Sequence, residues 1–306
     1  MSDRIVTVRV PGTSANCGPG FDALGVACTI HNEMSLRLKS EPGLDIHIEG
    51  EGAGRIPCDE RNIVWRSIER LLEMAHCKND YQGAEIWMKN EVPLSRGLGS
   101  SAAAIVAGIK AANALLGNRF SRRELLQLAT EIEGHPDNVA PAIFGGFTVS
   151  IVSNGRPECY TFMPRMRLRL VVAVPDFPLS TRVARSVLPE QVSMQDAVFN
   201  IGRTGMLVAA LSRGNVGFLR HAFDDKLHQP YRLPLIPGME DVFTAAKYAG
   251  AIGVALSGAG PCLIAFTQKN ADGIGRAMVE KFRENHVDAR YLILGIDPHG
   301  ASIVNP

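Results

Sequence analysis

The stretch PLSRGLGSSAAAIVAG, from Pro93 to Gly108, joins residues that can bind an anion to residues that can only pack. Backbone N–H groups at a helix start have no partner inside the helix, and the aligned peptide dipoles make that end positive. Such a start attracts phosphate. Gly97 and Gly99 would let the backbone approach a phosphate closely and turn with positive φ. Ser100 and Ser101 add hydroxyls that can donate to phosphate or ligate Mg2+. A glycine–serine cap on a core helix would read the same way, so the motif alone is ambiguous. A Walker A loop is excluded, because no lysine follows Gly99. GLGSSA fits the pattern of a dinucleotide-binding turn, but a loop from Pro93 separates it from the preceding strand. Positions 118–120 read Asn-Arg-Phe where that fold needs a ribose-binding acid.

Two further segments carry the same chemistry. PGTSANCGPGFDALG (11–25) places four glycines, two prolines, Asn16 and Asp22 after the first strand. LSGAGPCLIAF (256–266) sets Gly258 and Gly260 between two strands. Glycine-rich turns at the ends of separate strands point to loops converging on one ligand.

The elements that must position these loops follow from periodicity. RIVTVRV (4–10), EMSLRLK (33–39), DIHIE (45–49) and AEIWMKN (84–90) alternate as half-buried strands do, and antiparallel pairing is expected for 33–39 with 45–49. Residues 62–75 form an amphipathic helix with Ile68, Leu71, Leu72 and Ala75 on one face. The helix from Ser100 to Leu116 is apolar nearly all round and should be buried. A second helix over 121–134 has Ser121 and Glu124 as a capping box and Gly134 to end it. A strand at 145–152 precedes Asn154, Gly155 and Pro157, where a domain boundary is expected. Beyond it lie strands at 168–175, around 251–258, 262–268 and 289–296, and helices near 193–213, 239–249 and 272–286. Strands and helices alternate without the steady rhythm of an all-parallel sheet, which predicts an α+β fold.

Composition limits the partners. A net charge of +1, from 32 basic and 31 acidic residues, gives no reason to expect nucleic acid or a membrane surface. No apolar run approaches the roughly 18 residues a membrane helix needs. The segment MSDRIVTVRV reads as a charged strand rather than a secretory signal. The six cysteines form no Cys-x-x-Cys pair and the eight histidines no zinc spacing, so reduced thiols in a cytoplasm are expected.

With these segments in order along the chain, the sequence resembles the GHMP kinase superfamily. VPLSRGLGSSAA is similar to its phosphate loop and LSGAGP to its third motif. GTSANCGPGFDALG and GHPDNVAPAIFGG (134–146) most closely resemble segments of the homoserine kinase family within it. The resemblance covers the chain end to end. It implies a two-domain α+β GHMP kinase fold: an N-terminal ATP-binding domain over 1–154 similar to ribosomal protein S5 domain 2, with an atypical left-handed crossover, and a ferredoxin-like C-terminal domain over 155–306. The cofactors it implies are ATP and Mg2+, the substrate is L-homoserine, phosphorylated on its side-chain hydroxyl in threonine biosynthesis, and the assembly is a homodimer.

By the same resemblance, Pro93, Leu94, Ser95, Arg96, Gly97, Leu98, Gly99, Ser100, Ser101, Ala102 and Ala103 form the phosphate loop, with Gly258 and Gly260 in the third glycine motif. Mg2+ is expected at Ser100 or Ser101, with Ser101 assigned, and at a carboxylate of the helix that precedes GHPDNVAPAIFGG, Glu131, with Glu133 as the alternative. The zwitterionic substrate needs both signs of charge. Arg185 and Arg232, with Thr181, would hold its carboxylate, because guanidinium forks bind two oxygens at once. Arg182 is the alternative. Asn16 and Asp22 would hold the amino group. His135 lies in the substrate segment, and Asn138 would contact the reacting hydroxyl. Outside such motifs an arginine in a loop is usually a solvated charge and a lone histidine structural. Asp137 is not assigned as a base, because HPDN lacks the Pro-x-Gly-x-Asp arrangement of the relatives that use one. A mevalonate-type kinase would need that motif. A ligand-binding sensor derived from the superfamily would be expected to lose the loop or metal residues, which are all present.

Overall fold

The computed structural model describes residues 4–305. β1 (Val6–Ala15) and β2 (Leu24–Lys39) pair antiparallel, with a slip of register between Pro11 and Gly12. Val6, Val8 and Val10 face the core, while from Pro11 to Ala15 the strand is buried on both sides. β3 (Gly43–Gly50) does not pair with β2. It runs through α1 (Ile63–Met74) to β4 (Gly83–Asn90) and pairs with β4 in parallel, and β4 lies antiparallel against β2. The expected pairing of 33–39 with 45–49 is therefore replaced by a crossover unit. Alternation fixes which face of a strand is buried, not which neighbour it takes, and a helix of this length permits the parallel arrangement.

α2 (Ser100–Leu115) fills the space between this sheet and its helical layer. Ala102 to Ile109 and Ala111 to Ala114 are buried, and burial of Ile105, Val106 and Ile109 contributes about 1.5–3 kcal/mol each. α3 (Arg122–Glu133) starts with the expected capping box, both bonds present, and ends at Gly134 with φ 94°. α4 (Pro136–Phe144) is the helix formed by the HPDN segment: His135 caps it in extended conformation and Pro136 takes its first turn, where the missing N–H costs nothing. β5 (Phe147–Ser153) and β6 (Arg156–Phe162) make a hairpin attached to the start of β2. The turn at 154–155, where a domain boundary is expected, thus lies within the larger sheet, and the change of sheet comes between Phe162 and Arg169.

The second sheet begins with β7 (Arg169–Pro175). α5 (Thr181–Ser186), α6 (Met194–Arg213), α7 (Val216–Leu219), α8 (Gln229–Arg232) and α9 (Met239–Tyr248) follow before β8 (Gly253–Leu256) and β9 (Leu263–Thr267). α10 (Ala271–Glu284) and β10 (Ala289–Leu294) complete it. Its order β10-β7-β9-β8, all antiparallel, is the β-α-β-β-α-β ferredoxin-like arrangement, elaborated by extra helices after β7. One face packs on α9 and α10. The other shares a core with the first sheet: Leu170, Val172, Ile264 and Phe266 meet Leu24, Val26 and Phe147. The chain then returns, and β11 (Ser302–Asn305) pairs antiparallel with β1. Among the described residues no helix is long and apolar enough to cross a membrane, and all six thiols are free.

Candidate active site

The three glycine-rich loops converge where the two sheets meet. Leu98 O accepts from Thr13 N at 2.9 Å, Ala15 O from Gly258 N at 3.1 Å and Arg96 O from Cys262 N at 3.1 Å. Ser257 Oγ donates to Gly97 O at 2.6 Å. Gly97 and Gly99 have φ of 81° and 66°. A Cβ on Gly97 would stand 2.1 Å from Ser257 O, and one on Gly99 2.0 Å from Thr13 Oγ1. The glycines are required by the approach of the loops to one another as well as by their backbone conformation.

Between the loops lies a cavity of about 380 Å3. Leu94, Ser95, Arg96, Gly97, Gly99, Ser100 and Ser101 line it from one side, and Gly258 and Gly260 from another. Asn16, Asp22, His135, Asn138, Thr181, Arg185 and Arg232 line it as well. Pro93, Leu98, Ala102 and Ala103 are buried and contribute no wall. Leu98, Ala102 and Ala103 belong to the core behind the loop. At one end Ile56, Ile63, Met88 and Leu94 form an apolar wall with Asn32 and Asn90 beside it.

The carboxylate that reaches the start of α2 is Glu133, not Glu131. Ser101 Oγ donates to Glu133 Oε2 at 2.8 Å. Glu131 accepts from Gln127 Nε2 at 3.1 Å, lies 3.9 Å from Arg70, and lines a separate groove between α1 and α3. Two positions along a helix rotate a side chain by about 200°, so the two residues cannot serve one site. Burial raises the pKa of Glu133. The Ser101 bond and His135 oppose this, and Asp137 adds to it. Among the described residues Glu133 has no lysine or arginine partner, so it is a carboxylate in want of a cation.

At the other end the charges are paired with each other. Arg185 donates from Nη1 and Nη2 to both oxygens of Asp22, at 2.9 and 2.8 Å. The hydrogen bond to Asp22 raises the pKa of Arg185 against the effect of burial. Arg232 is 2% exposed. Its Nε donates to Ala184 O at 3.0 Å, and its Nη1 to Gly258 O and to His228 Nδ1, each at 3.1 Å. Burial, reinforced by Arg185, pushes its pKa down to about 10. Since arginine only donates, His228 Nδ1 is the acceptor and Nε2–H donates to Gly18 O at 2.7 Å. Burial lowers the pKa of His228, which fits this neutral form. Both guanidinium groups lie over the Phe21 ring, at 5.6 and 5.4 Å. Arg182 is exposed and lies outside the cavity wall.

Asn16 spends its side chain on the loops: Nδ2 donates to Gly258 O at 2.8 Å, and Oδ1 accepts from Asp22 N at 3.0 Å. Asn138 Oδ1 accepts from Thr13 Oγ1 at 2.9 Å, which fixes the amide orientation. His135 Nδ1 lies 2.5 Å from Asp137 Oδ1. Burial disfavours protonation of His135, but the hydrogen bond and charge of Asp137, with Glu133 behind, hold its pKa above the ordinary histidine value. Thr13 and His228 belong to the site and went unread in the sequence. Thr13 lies inside GTSANCGPGFDALG, and His228 directly precedes the segment that carries Arg232.

Two family models match the chain, "GHMP kinases N terminal domain" over residues 62–146 and "GHMP kinases C terminal" over 206–284. The homoserine kinase of Moorella thermoacetica is 45% identical over 97% of this chain and 99% of its own. That of Carboxydothermus hydrogenoformans is 44% identical over 97% and 96%. The crystal structure of homoserine kinase from Cytophaga hutchinsonii superposes with a TM-score of 0.90 at 36% identity, covering 99% of this chain and 98% of that one. Mevalonate kinase of L. major, at 18% identity and TM-score 0.71 over 97% and 96%, shares the fold. Identity at this level over nearly the whole of both chains, with both models matched in order around one cavity, places the chain in the GHMP kinase family, among its homoserine kinases.

Proposed function

We propose that the chain transfers the γ-phosphoryl group of ATP to the side-chain hydroxyl of L-homoserine, giving O-phospho-L-homoserine for threonine biosynthesis. One observation carries the reading. A single cavity has a positive helix start with Ser101 and Glu133 at one end and the Asp22, Arg185 and Arg232 cluster at the other. The first suits a polyphosphate and the second a small zwitterion.

The apolar wall of Ile56, Ile63, Met88 and Leu94 suits the adenine. N–H groups from the loop and the start of α2 lie toward the phosphates, where charge accumulates on the transferred group, so catalysis is mainly positioning and electrostatics. Glu133 and Ser101 fit Mg2+, which takes one or two carboxylates and completes its shell with phosphate oxygens and water. When bound, Mg2+ neutralises phosphate charge. Arg185 and Arg232 receive the homoserine carboxylate and Asp22 its ammonium. Asn138, held by Thr13, orients the hydroxyl. Its oxygen forms the bond to γ-phosphorus as the bond to the ADP oxygen breaks, and its proton passes to the transferred phosphoryl group. Asp137 lines the cavity but is hydrogen-bonded to His135, so no carboxylate base is assigned. Unpaired thiols support a cytoplasmic setting. A homodimer is the expected assembly, to be checked by sedimentation.

The test is ADP release with homoserine, mevalonate, galactose and 3-amino-1-propanol. Homoserine alone should be turned over efficiently. Equal turnover of 3-amino-1-propanol, which lacks the carboxylate, would remove the role given to the arginines. Asp137→Asn should retain substantial turnover and Asn138→Ala should be worse. The reverse order would restore a base mechanism.

A further inference from the structure

A second cavity, of about 540 Å3, lies away from the active site, where β1 and β11 meet the helical layer. Three cations stand on its wall, Arg9 from β1, Lys110 from α2 and Arg122 from α3, with His31 and His299 beside them. One carboxylate, Asp297, faces it, and that group is already used. Asp297 accepts from His31 Nε2, His299 N and Gly300 N, each at 2.8 Å. Arg9 is partly spent, with Nη2 on His31 Nδ1 at 3.1 Å and Nε 4.0 Å from Glu33. Lys110 and Arg122 have no hydrogen-bond or ion-pair partner among the described residues.

Lys110 is half-buried, and burial together with Arg122 lowers its pKa. Two cations that repel each other beside a cavity, one of them partly desolvated, are unfavourable unless an anion compensates them. Two other half-buried charges show the alternative: Arg185 is neutralised by Asp22 and Asp297 is satisfied by three donors. The remaining wall, with Phe144, Pro298 and Ile303, is apolar. It leaves room for the organic part of a small ligand beyond its charged head.

We propose that the cavity between Lys110 and Arg122 is an anion site for a phosphate dianion, free or as the head of a small phosphate monoester. Arg9 stands across the same cavity and completes a three-cation rim. The placement has a mechanical side. Lys110 lies on the helix whose start carries Ser101, and Arg122 begins the helix that ends at Glu133. An occupant would therefore bridge the far ends of the two helices that build the phosphate corner.

The test is calorimetric titration of inorganic phosphate and, separately, of glycerol 3-phosphate. It is done at constant ionic strength with the active site filled by a non-hydrolysable ATP analogue, Mg2+ and homoserine. Chloride is the control. Wild type should bind, and Lys110→Gln and Arg122→Gln should each weaken binding about tenfold or more, the loss typical of one charge-assisted contact. Lys110→Arg should stay within about threefold. Tighter binding of glycerol 3-phosphate than of phosphate would assign the apolar wall to the ligand, and the reverse would assign free phosphate. In chloride the double variant should melt no lower than wild type, because an uncompensated charge has been removed. A lower melting temperature there, or equal phosphate affinity in wild type and double variant, would overturn the site.

Discussion

Glu131 and Glu133 are separated by one residue and by the thickness of a helix. Glu133 alone faces Ser101, so Glu133→Gln should cut turnover by more than the ~10–100-fold typical of an outer-shell metal partner, with weakened Mg2+ dependence. Glu131→Gln should leave both within about twofold. Steady-state assays across a Mg2+ series check this, and parity of the two variants would refute it. The residue types came with the family resemblance, and zwitterion and polyphosphate chemistry supplies the reason for them. The choice between two acids was not legible, because a single sequence leaves the phase of a helix uncertain near its end. Asp22 and Arg185 show a different limit. The resemblance assigns them to the two opposite charges on one α-carbon, ammonium and carboxylate, and the structure pairs them with each other. Arg185→Ala should raise the homoserine KM by roughly 10–150-fold, as loss of a charge-assisted bond worth about 1.5–3 kcal/mol would. ATP affinity should stay nearly unchanged. An unaltered homoserine KM would mean the pair is a structural bridge only. His135 adds a pH signature. Its pKa is raised in the folded state, so its contribution to stability is complete below the ordinary histidine value of about 6.5 and is lost as pH rises through the raised one. Melting temperature followed from pH 6 to 9 should show this decline in wild type and lack it in His135→Gln.

Among the elements, those with strong local signals were read closely. The helix over 121–134 carries its own start and stop in Ser121, Glu124 and Gly134, and the helix from Ser100 is apolar on every face. α4 is hard to read because His135, Pro136 and Pro141 look like a loop; its conformation is set by Pro136 in the first turn and by packing against α2 and α3 rather than by propensity. β3 was read as a strand but given the wrong neighbour, since pairing partners are chosen over distances that periodicity does not reach. The glycine loops were legible as ligand-binding turns, yet their mutual contact was not. Gly97→Ala is the measure of that contact. Left-handed backbone costs alanine about 1–2 kcal/mol, and the added carbon meets the Ser257 carbonyl. Melting temperature and nucleotide affinity should fall together. A fall in affinity with unchanged stability would show that the glycine serves the phosphate alone.

At the scale of the whole molecule, the order of strands and helices points to the α+β class, while the two-domain plan came with the family resemblance. What neither conveyed is that the chain does not divide cleanly. The hairpin of β5 and β6 stays with the first sheet, and β11 comes back to it after the entire second sheet. That return has a consequence for biosynthesis. β1 leaves the ribosome well before β11, so the larger sheet waits with one edge open while everything between them is translated. An open edge is a template for unwanted strand pairing, and contacts this distant in sequence form late. The nascent chain is therefore exposed to aggregation until β11 has emerged, and a chaperone that shields β1 would have its use in that interval.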